Sequence, residues 1–479
     1  MSDLQSRLRE IPQVSALLAD TRLADLLAGR RRAWAGRVVQ EELDRLRAGL
    51  RDGTAAAGGR ADLHEAAVAA VRRRCDRLLA PAWTRVLNGT GVVVHTNLGR
   101  AGLPADAVAA LAEVAARASD LELDLATGRR DHRGRLVERK LALLTGAGDA
   151  LVVNNNAAAL WLAVRGLGRG APVLLSRGEI VAIGGSFRLH EIVAETGSPL
   201  IEVGTTNRTT VEDYRRALVP GALVLKVHRS NFAMAGFTAE ASLAELADLC
   251  REAGAPLVYD AGSGLLVEPV AVGLPAGEST LAQDVATGCD LVTCSGDKLL
   301  GGCQAGIVLG GAAHVEALRE HPLRRAVRVD KLTLAALDAV LTGYLAATGV
   351  PALPVLAALA LDAAALAARA AWLCEALGPD LPGGWRADVV DGVSSVGGGA
   401  CTTAELPTRL LLLTGPRGQL EACHQHLRGQ DPALVARLNQ DGLAVDPRTL
   451  AEDELPLVAA ALRKAWRAGR GDEPEGTRG

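Results

Sequence analysis

The chain has 479 residues, 49% hydrophobic and 22% charged, with a formal net charge of −3. Single cores stop growing near about 250–300 residues, so two or three domains are expected. The charge by itself gives no reason to expect a nucleic-acid partner and DNA is not expected. The start, SDLQSRLREI, lacks the basic-then-apolar pattern of a secretory leader. The apolar stretch 350–376 is interrupted by Pro351, Pro354, Asp362 and Arg369, which argues against a membrane span.

Residues 1–80 are expected to form a small helical module, with apolar positions recurring at Val14, Leu17 and Leu18, at Leu23, Leu26 and Leu27, and at Val38, Val39, Leu43 and Leu46. The module carries 15 arginines against 11 carboxylates, with clusters at Arg30–Arg32 and Arg72–Arg74. Such clusters read either as solvated helix faces or as a footprint for a phosphate backbone. TAAAGGR (54–60) reads as a turn between helical pieces.

From 81 to 345 short apolar runs alternate with helical patterns. The runs are 91–95, 150–154, 171–176, 199–204, 222–228, 255–262, 289–297 and 305–311; the helical patterns include 104–118, 135–145, 156–166, 210–217 and 241–253. This alternation predicts an α/β domain with a mainly parallel sheet and its ligand site beyond the strand ends. Residues 346–470 are expected to form a smaller α+β domain with a strand at 408–415, and 471–479 a disordered tail.

The eight cysteines are scattered without a CxxC, which reads as reduced cytosolic thiols and a cytoplasmic protein. No metal is expected; His424 and His426 beside Cys423 read as a polar helix face.

Lysine is rare, five residues against 47 arginines, and arginine cannot replace an amine that must lose its proton and attack a carbonyl. Lys298 stands out within CSGDKLLGGCQAGIVLG (294–310), after an apolar strand and before Gly301 and Gly302. Ser295 is placed to hydrogen-bond a phosphate. Asp260 closes an earlier strand in VYDAGSG, and Asn154-Asn155-Asn156-Ala157 follows another strand and opens a helix. A helix start offers free N–H groups and a positive dipole end to a phosphate. Phosphate cradle, strand-end carboxylate and amine together are the parts that a pyridoxal 5'-phosphate enzyme needs.

Several stretches give this reading a family. RVLNGTGVVVHTNLGRAGLP (85–104), SRGEIVAIGGSFRLHEI (176–192), KVHRSNFAMAGFT (226–238), SGDKLLGGCQAGI (295–307) and HPLRRAVRVDKLTLAALDAVL (321–341) resemble the bacterial L-seryl-tRNA(Sec) selenium transferases, or selenocysteine synthases. IPQVSALL (11–18), GGGA (397–400), ELPTR (405–409) and VDPRTL (445–450) share the resemblance.

The resemblance implies a fold-type-I pyridoxal-phosphate transferase with a seven-stranded sheet, a small N-terminal helical domain and a C-terminal α+β domain. It implies that seryl-tRNA(Sec) is converted to selenocysteinyl-tRNA(Sec) with selenophosphate, through a dehydroalanyl intermediate. Lys298 then carries the cofactor and serves as the base for the α-proton. Asp297 joins it in the active site by the same resemblance, while the pattern of the residues themselves assigns Asp260, Asn155, Asn156, Ala157 and Ser295 to holding the cofactor. Arg100, Arg325 and Arg328 match positions that the family uses around the active site and suit a selenophosphate clamp, since guanidinium pairs bidentately with phosphate-type oxygens. The implied assembly is a homo-oligomer, a ring of dimers that makes a decamer with shared active sites. Cys303 departs from the family, which usually has proline after the double glycine. The alternative is a related pyridoxal-phosphate lyase or transferase acting on an amino-sugar acid phosphate; the basic N-terminal module favours a tRNA substrate.

Overall fold

The computed structural model describes residues 2–28, 31–54, 59–183, 187–275, 277–401 and 404–468. Most of the turn expected at 54–60, Arg30 of the first basic cluster, and the tail 471–479 lie outside them. The chain divides into two compact units, Met1–Arg85 and Val86–Gly479.

The first unit is helical: α1 (Ser2–Glu10), α2 (Val14–Leu18), α3 (Arg31–Asp52) and α4 (Arg60–Leu79). Leu63, Ala67, Val71 and Cys75 form one buried stripe of α4, at the three-to-four-residue spacing that a helix needs to face a core. They pack with Leu17, Leu23, Val39 and Leu43. Within the Arg72–Arg74 cluster, Arg72 donates to Asp25 Oδ1 at 2.7 Å and to the Arg22 carbonyl at 2.8 Å, whereas Arg73 is exposed.

The second unit opens with β1 (Val86–Asn88) and β2 (Val92–Val94). It continues through β3 (Asp149–Val153), β4 (Val173–Ser176), β5 (Leu200–Val203), β6 (Leu223–Val227), β7 (Leu257–Gly262), β8 (Leu291–Ser295) and β9 (Gly306–Gly310). The last seven form one sheet in the order β3-β9-β8-β7-β6-β4-β5. All its pairings are parallel except those of β9, which runs antiparallel to β8 and β3. Helices including α5 (Ala105–Ala116), α6 (Arg135–Thr145) and α7 (Asn156–Gly168) connect or flank the strands, and the core divides between two large apolar clusters.

A second sheet contains β10 (Arg386–Gly397) and β11 (Glu405–Thr414), and β12 (Ala433–Val435) lies beyond them. β13 (Arg437–Leu438) and β14 (Leu443–Val445) complete this sheet in the order β13-β14-β11-β10-β2. The run 91–95, expected among the alternating strands of the large sheet, therefore belongs elsewhere. Val92 and Val94 pair in parallel with Ser395 and Gly397, and β1 pairs with β12. A short valine run fits either sheet by pattern, and its pairing partner decides. Behind it Asp446, fully buried, accepts from Ser394 Oγ at 2.7 Å, Thr408 Oγ1 at 3.0 Å and Arg437 Nη2 at 2.9 Å.

No single described helix is long and apolar enough to cross a membrane. Among the described residues no group of three or more His, Cys, Asp or Glu is placed to hold a metal ion. His424 instead meets the Ala436 carbonyl at 3.3 Å and His426 the Ala422 carbonyl at 2.8 Å.

Register aligns the strand ends that matter. Ser295 pairs with Gly306, and Gly306 with Val153, so the ends of β8 and β3 share a rung with the start of β9. A Cβ at position 306 would lie 2.0 Å from the Asn155 carbonyl oxygen, so only glycine lets the helix entry approach the sheet. Gly306→Ala is expected to cost about 1–3 kcal/mol, the scale of overpacking a tight site. Urea denaturation followed by fluorescence should show a lower midpoint, and an unchanged midpoint would contradict the close approach.

Candidate active site

Lys298 follows β8 in the tight turn that leads to β9 and is 6% exposed. Its Nζ donates to the Gly399 carbonyl at 3.0 Å. Burial, reinforced by the nearby Arg100 charge, holds its amine below the ordinary lysine range despite the attraction of Asp260. A neutral amine is the form that attacks a carbonyl.

Asp260, in β7, is 8% exposed. Its Oδ1 accepts from Asn156 Nδ2 at 2.8 Å and from Thr293 Oγ1 at 3.4 Å. Burial raises this carboxyl above its usual range, and the hydrogen bonds and Lys298 only partly offset that. Amine and carboxylate feel one another, yet no described ion pair joins them and each has a different hydrogen-bond partner.

Asn155 caps α7, its side chain accepting from Ala158 N at 2.9 Å while its carbonyl accepts from Ala159 N at 3.0 Å. The N–H groups of Asn156 and Ala157 stand outside the helical ladder, as first-turn donors must. Asn156 Oδ1 is buried and has no hydrogen-bond partner among the described residues. Ser295, the last residue of β8, is buried on the adjoining rung.

These groups fit pyridoxal phosphate. The α7 start offers donors to a phosphate, Asp260 suits a protonated pyridine nitrogen, and Lys298 supplies the amine. The separation of amine from carboxylate also leaves them free to meet different atoms of one ligand.

Asp297, 6% exposed, accepts from Arg100 Nη1 at 2.7 Å through Oδ2, while its buried Oδ1 has no described partner. A buried acceptor without a donor calls for an explanation, and a ligand hydroxyl supplies one. The Asp297 carbonyl also accepts from Ala101 N at 3.2 Å, so the HTNLGR loop is tied to this turn twice.

Arg325 and Arg328 lie apart from this group. They line a cavity of about 510 Å³ with Arg130, Arg133, Arg319 and Arg324, and Arg100 does not reach it. The backbone of Arg328 bridges to Val153, the last residue of β3, and its Nη1 lies 3.5 Å from Glu122 Oε1. The three arginines singled out in the sequence thus fall into two groups within one chain. Cys303 donates to the Thr333 carbonyl at 3.3 Å, a side-chain tether where the family usually has a proline ring.

Sequence reasoning passed over Thr293 and the Gly399 carbonyl as partners of Asp260 and Lys298. A threonine within a strand gives no pattern, and Gly399 belongs to the other sheet's hairpin. It also missed a half-buried pair near Asp260, where His228 Nε2 lies 3.3 Å from Glu278 Oε2. The nearby Asp284 carboxyl is pushed up to about 6 by burial. Glu179 is engaged elsewhere, accepting from Lys226 Nζ at 2.9 Å and Val227 N at 3.0 Å.

Residues 86–451 match the L-seryl-tRNA selenium transferase family. The chain is 47% identical over 468 residues to the L-seryl-tRNA(Sec) selenium transferase of Solidesulfovibrio magneticus, covering 96% of this chain and 99% of that one. Identity to the Geobacter sulfurreducens enzyme of the same name is 44% over 460 residues, covering 95% and 98%. A solved D-glucosaminate-6-phosphate ammonia-lyase shares the fold, with TM-score 0.56 and 20% identity over 81% of this chain and 97% of that one. The match along the catalytic unit and the near full-length identity place the chain in the L-seryl-tRNA selenium transferase family.

Proposed function

We propose that this chain converts L-seryl-tRNA(Sec) to L-selenocysteinyl-tRNA(Sec) in the cytoplasm, with selenophosphate as selenium donor and pyridoxal phosphate on Lys298. The observation that carries the reading is the buried Lys298 amine set against, but not paired with, the buried Asp260 carboxyl in a chain of this family. Asp260, the first-turn N–H groups of Asn156 and Ala157, Asn155 and Ser295 would hold the cofactor. Bound there, it supplies a sink for the electron pair left when the seryl α-proton departs.

The remaining work falls to the chain. Lys298, whose burial favours the unprotonated amine, takes the α-proton. Asp297, anchored by Arg100, presents Oδ1 as an acceptor that orients the seryl hydroxyl, which leaves as water with the proton that Lys298 took from the α-carbon. Selenium then bonds to the β-carbon and a proton returns to the α-carbon, while water cleaves the donor's P–Se bond and phosphate is released. The arginine-walled cavity suits that donor's oxyanion.

Residues 1–80 form the tRNA-binding module in this reading, residues 81–345 the catalytic domain and 346–470 the small domain. Duplex RNA is recognised mainly by shape and phosphate contacts, which suits an arginine-bearing helical surface. The division of the clamp arginines between two cavities supports a homo-oligomer, built from dimers toward a decamer, in which one copy's Arg325 and Arg328 serve its partner's Lys298.

Purified protein given seryl-tRNA(Sec) and selenophosphate should produce selenocysteinyl-tRNA(Sec), and Lys298→Ala should lose both turnover and the visible absorbance of the lysine-bound cofactor. A wild-type protein without that absorbance would refute the cofactor assignment. Deleting residues 1–80 should abolish use of seryl-tRNA while cofactor loading persists; full turnover by the truncated protein would remove the module's assigned role. Mixed assemblies of Lys298→Ala and Arg328→Ala chains should recover activity that neither variant has alone. Failure to recover it, in assemblies shown to contain both chains, would count against shared sites.

A further inference from the structure

A second cavity, of about 680 Å³, is lined in part by the loop that is bonded to Asp297. Arg100 and Ala101 both line it, and both are bonded to Asp297, Arg100 through its carboxylate and Ala101 through its carbonyl. Leu98, Leu103, Leu353 and Pro354 give it apolar walls, and His95 and Arg369 add polar groups. We propose that this cavity receives the 3′-terminal adenosine of the aminoacyl-tRNA.

The inference rests on the seryl-tRNA reading and follows from its covalent structure. Serine is esterified to the ribose of the last nucleotide, so a seryl amine that reaches Lys298 brings that ribose within a few bonds of Asp297. The adenosine needs a recess adjoining Asp297, and this cavity opens from the two residues bonded to it. Its volume falls in the range of about 300–1,000 Å³ common for small-molecule sites, as does its mix of apolar walls and few polar groups. Leucine and proline surfaces suit the faces of a purine.

The polar groups match the rest of a nucleotide. His95 Nδ1 accepts from Asn97 N at 3.2 Å, which leaves Nε2 as the protonated nitrogen and a donor to a base or ribose acceptor. Three arginines line the cavity; Arg100 is paired with Asp297 and Arg448 is buried against Ser394 and backbone carbonyls, so Arg369 is the one whose charge the cavity can use. Arg369 donates to the neutral carbonyls of Pro447 and Leu450, so these bonds leave its charge available to the phosphodiester on the adenosine's 5′ side. The other arginine-walled cavity is lined by Arg325 and Arg328 with little apolar surface among its residues, which suits a small oxyanion better than a base.

The test compares two probes by calorimetry, on cofactor-loaded and cofactor-free protein: 3′-deoxy-3′-(L-serylamino)adenosine and L-serinamide, which lacks the nucleoside. Ala352→Trp and Ala357→Trp each fill the cavity from an exposed position, so folding should be retained. Ala360→Trp is an exposed control on the same short helix, outside the lining. The nucleoside probe should bind wild type and control at least about tenfold more tightly than serinamide. Both filled variants should lose that advantage and bind serinamide as wild type does. No nucleoside advantage in wild type, or an advantage that survives both fillings, overturns the proposal. Turnover of seryl-tRNA(Sec) separates the two failures. If wild type does not turn it over, the activity reading falls; if wild type and filled variants turn it over with the same KM, only the adenosine site falls.

Discussion

Two groups that water would keep charged, the Lys298 amine and the Asp260 carboxyl, are both buried at the ends of adjacent strands. Desolvation drives each toward its neutral form, lowering the amine and raising the carboxyl. A direct ion pair would relieve much of that cost, but each is turned to another partner. Lys298 bonds the Gly399 carbonyl from the second sheet, and Asp260 bonds Asn156 and Thr293. The site therefore keeps two reactive groups unneutralised by one another, which is useful only where a ligand meets both.

Much of the surrounding backbone serves that separation. Gly306 allows the α7 entry to lie against the sheet, which puts Asn156 within reach of Asp260. Arg100 has φ of 64°, a left-handed conformation that costs a residue with a side chain about 1–2 kcal/mol. Its bond to Asp297 and the adjoining Ala101–Asp297 bond hold the loop in that conformation. Strain of this kind marks a side chain aimed by its surroundings rather than by local preference.

The parts of this arrangement that were legible in the sequence are those set by local chemistry. Helical periodicity marked residues 1–80 as helical, without bounds for the separate helices, and placed α5, α6 and α7 to within a few residues, while alternation marked the large sheet's strands. The glycine-rich setting of Lys298 and the strand-end position of Asp260 were equally local. What escaped was fixed by distant pairing: β2's place in the second sheet, Gly399's carbonyl on Lys298, and Thr293 beside Asp260. No spacing along the chain encodes contacts between residues 33 to 101 or more positions apart. The three arginines illustrate the same limit, because the family resemblance grouped them on a common anion while their positions divide them.

That division has an electrostatic consequence. Six arginines and three carboxylates line the cavity that holds Arg325 and Arg328, an excess of positive charge in a confined space. Burial and the charges of Arg319, Arg328 and Arg133 push Arg324 below the usual arginine range, and its Nε is buried without a described partner. Glu122 is shared by Arg130, Arg133 and Arg328 and cannot balance all of them. A phosphate-type dianion would relieve this repulsion, whereas a neutral molecule would leave it in place. The cavity is thus suited to a ligand by charge, and the Lys298 site by the spacing of an amine and a carboxyl. In the proposed reaction a selenium donor held by the first would act on serine at the second only if the two were brought together, so that reading predicts an assembly rather than a single chain.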